Sequence, residues 1–100
     1  MFIVLLRYSD NRDSAGEFME GHNEWISRGF DDGVFLLVGS LQPGRGGAIV
    51  AANTTLSELQ SRVETDPFVA QNVVTAEVHE ISPARADDRL GFLLEQAAAG

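Results

Sequence analysis

Ser14-Ala15-Gly16-Glu17-Phe18-Met19-Glu20-Gly21-His22-Asn23-Glu24-Trp25-Ile26-Ser27-Arg28-Gly29-Phe30-Asp31 is the stretch whose reading decides the fold. Ser14 and Glu17 form a capping-box pattern, which predicts a helix from Ala15 to about Asp31. Phe18, His22, Trp25, Ile26 and Gly29 recur at spacings of four, three, one and three, one face of a 3.6-residue period. The helix therefore packs one apolar stripe on something flat, and a histidine sits on that stripe. Asp31-Asp32-Gly33 is a breaker cluster that ends it.

Strands flank this helix. Phe2 to Tyr8 is β-branched and aromatic and reads as the first, with Ser9 to Asp13 a polar loop after it. Val34 to Val38 is the second strand and Ala48 to Asn53 the third. Between them Gly39 to Gly47, with four glycines and a proline, reads as the long turn of a hairpin. Thr54 or Thr55 caps a second helix, in which Leu56, Leu59 and Val63 lie three and four apart. Asp66-Pro67 opens a further helical turn, with Asp as cap and Pro in the first position. Val73 to Ile81 is the last strand, with Val74, Ala76 and Val78 on one face and Thr75, Glu77 and His79 on the other. After Pro83 the tail reads as a helix with Leu90, Leu93, Leu94 and Ala97 in a stripe. Its acid-bearing polar face fits packing on protein rather than on membrane. The order predicts an α+β, ferredoxin-like βαββαβ antiparallel sheet with two helices on one face, plus a C-terminal helix.

The first strand is apolar on both faces, Phe2, Val4 and Leu6 against Ile3 and Leu5, and the second repeats this, Val34, Leu36 and Val38 against Phe35 and Leu37. Two helices cover only one face of the sheet. The other needs the tail helix, a second copy of the chain, or both, and a sheet-to-sheet homodimer is the expected solution.

Composition narrows the function classes. One hundred residues at 44% hydrophobic content suit one domain with one core. With no cysteine there is no thiol nucleophile, disulfide or thiolate metal site. Fifteen acidic residues against seven basic ones give a net charge of -8, which argues against nucleic acid and anionic membranes as partners. The run Phe2 to Leu6 is too short for a signal peptide and nothing is long enough to span a bilayer, so a cytoplasmic protein is expected.

His22 is the residue with chemistry to explain. A neutral imidazole on an apolar stripe needs partners for two ring nitrogens, and a charged one needs a counter-charge. Packing beside Trp25 with one hydrogen bond to a carbonyl would suffice structurally. Asp66 is the candidate partner, although the capping bond alone would account for an Asp before Pro67. Together they have the chemistry of a general base, because a carboxylate beside an imidazole fixes its tautomer and favours its protonated form. Trp25 and Phe68 are candidates for apolar pocket wall. Ser40, Arg45 and Tyr8 are candidates for the pocket mouth, Ser40 and Arg45 suited to an anionic substrate; solvated-loop and core-packing roles are the alternatives. Gly44-Arg45-Gly46-Gly47 lacks the Lys-Ser/Thr ending and following helix of a phosphate cradle. Glu77 and His79 are two ligands at most, so no metal is expected.

The string His22-Asn-Glu-Trp25-Ile26-Ser-Arg-Gly29, then Gly33-Val-Phe-Leu-Leu-Val-Gly39-Ser40, Gly46-Gly47-Ala-Ile-Val and Asp66-Pro67-Phe68 resembles the YCII-related (YciI-like) proteins from Met1 to about Pro83. The resemblance implies residues 1–83 as a ferredoxin-like domain of the dimeric α+β barrel type; the tail 84–100 departs from the family pattern, an addition able to cap or narrow the pocket. It implies an active site on the helix histidine and the Asp-Pro aspartate, here His22 and Asp66. A characterised branch is similar to dehydrochlorinases of aromatic catabolism, which implies lyase-type proton abstraction on a small organic substrate. Such a step needs no cofactor, and none is expected. The competing reading is a non-catalytic ligand-binding or interaction module. A third, a cofactor-independent monooxygenase or haem-degrading enzyme of the same superfamily, has no residue here that calls for it. Asn72 stands where relatives often have glycine, which puts the turn after Phe68 in question.

Overall fold

A computed structural model describes residues 1–99, with side chains through Glu95. The elements are β1 (Phe2–Tyr8), α1 (Ala15–Asp31), β2 (Phe35–Leu41), β3 (Gly46–Ala51), α2 (Leu56–Glu64), α3 (Pro67–Ala70), β4 (Val74–Glu80) and α4 (Phe92–Ala99). The four strands form one antiparallel sheet in the order β2-β3-β1-β4, the expected ferredoxin-like arrangement. Both long crossovers put their helices on the same face, where α1 and the α2–α3 pair cover Phe2, Val4, Leu6, Ile49, Ala51 and Val74.

Alternation in β1 sends Phe2, Val4 and Leu6 into the core, all nearly inaccessible, and leaves Ile3 and Leu5 half-buried on the opposite face. In β2 the simple alternation fails. A bulge between Phe35 and Leu37 shifts the register, so Phe35 and Val38 share the core face while Leu37 is 57% exposed on the other. The glycine-rich stretch is also less of a loop than its composition suggests. Gly39, Ser40 and Leu41 continue β2, and Gly46 and Gly47 begin β3, leaving only Gln42 to Arg45 as the connection. Ladder hydrogen bonds outweigh the poor strand propensity of glycine where both partners continue the sheet.

The capping box on α1 does not form. A 3-10 turn over Arg12–Ser14 leads into the helix, and the Ser14 hydroxyl donates to Asn11 Oδ1 at 2.8 Å instead of capping a helical N–H. At its other end α1 lies close on the sheet. A Cβ on Gly29 would stand 2.1 Å from the Phe35 ring, so only glycine permits this approach. Thr55 does cap α2, accepting from Glu58 N at 3.1 Å. Asn72 adopts φ +59, a left-handed conformation that Asn tolerates better than most residues, so the turn into β4 is kept without glycine.

The tail is not one amphipathic helix. Residues 84–87 have no regular structure, Asp88–Leu90 is a 3-10 turn, and α4 starts only at Phe92. Of the predicted stripe Leu93 is buried, Leu94 is half-buried and Leu90 is exposed; the Ala97 side chain lies outside the described residues.

Candidate active site

α1 carries His22 and the α2–α3 junction carries Asp66, forty-four residues later. They meet because α1 packs against α3 at a small residue: a Cβ on Gly21 would stand 3.1 Å from Pro67 Cγ, tighter than an ordinary contact. His22 Nδ1 lies 2.8 Å from Asp66 Oδ1. The same oxygen accepts the Phe68 backbone N–H at 3.0 Å, the cap of α3. An ionised carboxylate can only accept, so with Asp66 as the carboxylate the hydrogen of this pair sits on Nδ1. In the neutral ring that leaves the Nε2 lone pair free to work.

The pair is sheltered. Asp66 is fully buried, and its Oδ2 has no hydrogen-bond partner among the described residues. The His22 side chain keeps 12% of its surface, enough for one edge to face outward. Phe68 stacks on the imidazole with ring centres 3.9 Å apart and planes within 5° of parallel. The Asp-Pro-Phe turn thus both aims the carboxylate and clamps the ring that the carboxylate orients.

His22 opens on a cleft of about 260 Å³ between α1 and the sheet. Met19, Asn23 and Ile26 line it from α1, Leu6, Ile49 and Val74 from the strands, and Phe68 from α3. The cleft exists because the helix-facing row Leu6–Gly47–Ser40 has no side chain at its centre. Tyr8 and Ser40 also line it. Arg45 does not: it is exposed in the β2–β3 connection and reaches Tyr8 only through a backbone bond, Tyr8 N to Arg45 O at 3.2 Å.

Trp25 likewise does not line this cleft. It is 1% exposed, lies against Phe35 at 5.0 Å and donates Nε1–H to Arg62 O at 3.0 Å. This bond ties α1 to the C-terminal turn of α2, just before Asp66, so the indole positions the two halves of the pair. Met19, Asn23 and Ile26 were not anticipated as lining residues, although positions three before, one after and four after His22 share its helix face or its rim. Arg12 does not line the cleft, but its guanidinium carbon lies 4.3 Å from the ring centre of Tyr8, which does; the Ser9–Asp13 loop has no period from which this contact could be read.

Glu77 and His79 are exposed, 3.3 Å apart. Among the described residues there is no group of three or more His, Cys, Asp or Glu placed to hold a metal ion, and no helix is long and apolar enough to cross a membrane.

An α+β sheet under helices, with a cleft-lining histidine backed by a buried aspartate, is what the chain presents for comparison. The YCII-related domain model matches residues 1–83, and the chain belongs to that family. The fold is also similar to the solved structure of 5-chloro-2-hydroxyhydroquinone dehydrochlorinase (TftG) from Burkholderia phenoliruptrix AC1100, in complex with 2,5-dihydroxybenzoquinone. That match has a TM-score of 0.65 and 14% sequence identity, over 81% of this chain and 93% of the other. No curated protein sequence matches the chain.

Proposed function

We propose that the chain is a cofactor-independent acid/base enzyme that removes a proton from a small organic substrate in a lyase-type step. The observation that carries this is the 2.8 Å contact of His22 Nδ1 with Asp66 Oδ1 behind a ring whose other edge faces the cleft. Nε2 takes the proton, the electron pair left behind forms the new π bond, and a leaving group departs with its bonding pair. Asp66 compensates the imidazolium that forms, without moving. The cleft is larger than the roughly 150 Å³ apolar cavity that accepts benzene, so a substituted single ring is the scale of substrate it takes. Tyr8, Ser40 and Asn23 supply polar groups at an otherwise apolar wall. The dehydrochlorinase likeness supports the fold on which such chemistry is built and suggests the first probe. Halide release from 5-chloro-2-hydroxyhydroquinone is expected with the unaltered chain and is lost in His22→Gln; equal release by both would overturn the role of His22.

The working form in this reading is a cytoplasmic homodimer. The row Leu37–Val50–Ile3 crosses three strands on the face away from α1, with Leu37 more than half exposed. A second copy covers this apolar row better than water does. Light scattering at micromolar concentration is expected to give twice the 10.8 kDa chain mass, and a monodisperse monomer would remove the dimer.

A further inference from the structure

We propose that Arg12 makes the cleft selective for a small organic anion, which its guanidinium meets at the Tyr8 rim while the ring of the ligand lies toward His22. This rests on the cleft being the substrate site and adds the charge of what enters it.

Three observations converge. First, the chain carries fifteen acidic residues, yet none lines the cleft, whose lining is apolar apart from Tyr8, His22, Asn23 and Ser40. A carboxylate or ionised hydroxyl entering it meets no like charge there. Second, Arg12 has no carboxylate at ion-pair distance among the described residues, although Asp10 and Asp13 flank it in the loop. Arg7, Arg62 and Arg89 are paired, with Glu77, Asp32 and Asp87, while Arg28, Arg45 and Arg85 share the unpaired state of Arg12 among the described residues, so it is the Tyr8 contact that sets Arg12 apart. Third, the Arg12 guanidinium lies over the Tyr8 ring at 4.3 Å, and Tyr8 lines the cleft. A contact with a ring face does not use the guanidinium N–H donors, so they remain available to an anion.

The electrostatics require a local cation if an anion is to enter at all. At a net charge of -8 the surface as a whole repels anions, so recognition must come from a short-range, geometrically fixed donor. Neither Arg45 nor Arg12 lines the cleft itself; Arg45 meets the lining residue Tyr8 only with its backbone carbonyl, whereas Arg12 meets it with its guanidinium. The preferred ligand is thus a ring-sized acid, with its anionic group at the mouth and its reacting carbon at the His22 end.

The test compares 2,5-dihydroxybenzoate with its neutral isostere 2,5-dihydroxybenzamide, following the His22 ring resonances by NMR as each is titrated into the full chain. The anion is expected to bind about tenfold tighter, the scale of one charge-assisted hydrogen bond at a partly exposed site. Arg12→Gln should bring the two affinities to within about twofold, and Arg12→Lys should restore part of the preference, since a point charge replaces the planar fork. Arg28→Gln, on the outer face of α1 and equal in net-charge change, should leave the preference intact. Equal binding of the two probes by the unaltered chain overturns the charge selectivity alone. A preference that survives Arg12→Gln but collapses in Arg45→Gln moves the anion contact to the β2–β3 connection and overturns Arg12. If neither probe perturbs His22, the cleft is not the binding site, and both this inference and the functional reading beneath it fall.

Discussion

Replacing Asp66 by Asn separates the two duties that its carboxylate performs. Asn keeps an Oδ1 that can accept both the Phe68 N–H and the His22 Nδ1–H, so the cap of α3 and the ring tautomer are retained. Two things change: the negative charge facing a future imidazolium is lost, and an NH2 group replaces Oδ2, a buried atom with no partner. Burying that unsatisfied donor costs about 1–3 kcal/mol. Against a typical domain stability of roughly 5–15 kcal/mol, even the worst combination leaves over nine tenths of the molecules folded. Loss of the charge should instead lower turnover by about a hundredfold or more, the usual worth of a positioned acid/base pair. Unfolding cannot account for a loss of that size. Asp66→Ser gives the complementary case, since a serine caps α3 but is too short to hold His22. The assays are urea denaturation, halide release from 5-chloro-2-hydroxyhydroquinone, and long-range proton–nitrogen NMR of the His22 ring. The unaltered chain should show the hydrogen on Nδ1, and Asp66→Ser should show both tautomers. Turnover in Asp66→Asn within threefold of the unaltered chain, or a hydrogen found on Nε2 of the unaltered neutral ring, would refute the dyad and leave Asp66 a helix cap.

Other perturbations probe the frame around the pair. Gly29→Ala places a methyl 2.1 Å from the Phe35 ring and should cost about 1–3 kcal/mol in chemical denaturation as α1 is pushed from the sheet; a change below about 0.5 kcal/mol would show that the helix shifts freely. Trp25→Phe loses the Nε1–H bond to Arg62 O and leaves a void, together worth about 1–3 kcal/mol, and should broaden the His22 resonances because α1 and α2 are no longer tied. Asp87 tests the sign of an electrostatic contribution outside the site. The Arg89 guanidinium, and then the Arg89 backbone N–H, hold its carboxyl below the ordinary value of 3.8, so its contribution is present above the unfolded pKa and is lost as pH falls through the folded one. Asp87→Asn should therefore lower the melting temperature slightly at neutral pH, and the difference should shrink as acidification protonates the carboxyl in both states; the opposite trend would show that the contact is absent in solution.

Much of the frame was legible because it rests on periodicity and local chemistry. Alternation in β1, the apolar stripe of α1 and the Asp-Pro start of α3 all describe which side of an element meets apolar surface, and that is written in the order of side chains. Two readings failed where long-range pairing overrode local preference, and a third where a neighbouring side chain competed. Gly39, Gly46 and Gly47 look like turn residues yet lie in strands, because their neighbours complete the ladder. The β2 bulge moved Phe35 to the core face, a shift of one residue that no alternation pattern reveals. Ser14 and Glu17 match a capping box, but Asn11 claims the serine hydroxyl.

The sequence alone determined that His22 lies on the buried stripe of a helix and that Asp66 caps another, since both follow from spacing along a few turns of chain. It also supplied the two as candidates for one site. Only the tertiary structure decided that one carboxylate oxygen serves both the cap and the imidazole, because that depends on how closely α1 and α3 approach at Gly21 and Pro67. It moved Trp25 from the pocket wall to a clamp behind it and took Arg45 out of the cleft. It brought Arg12 to the Tyr8 rim as well. Those outcomes are set by distances between segments far apart in the chain, and no local pattern of residues encodes them.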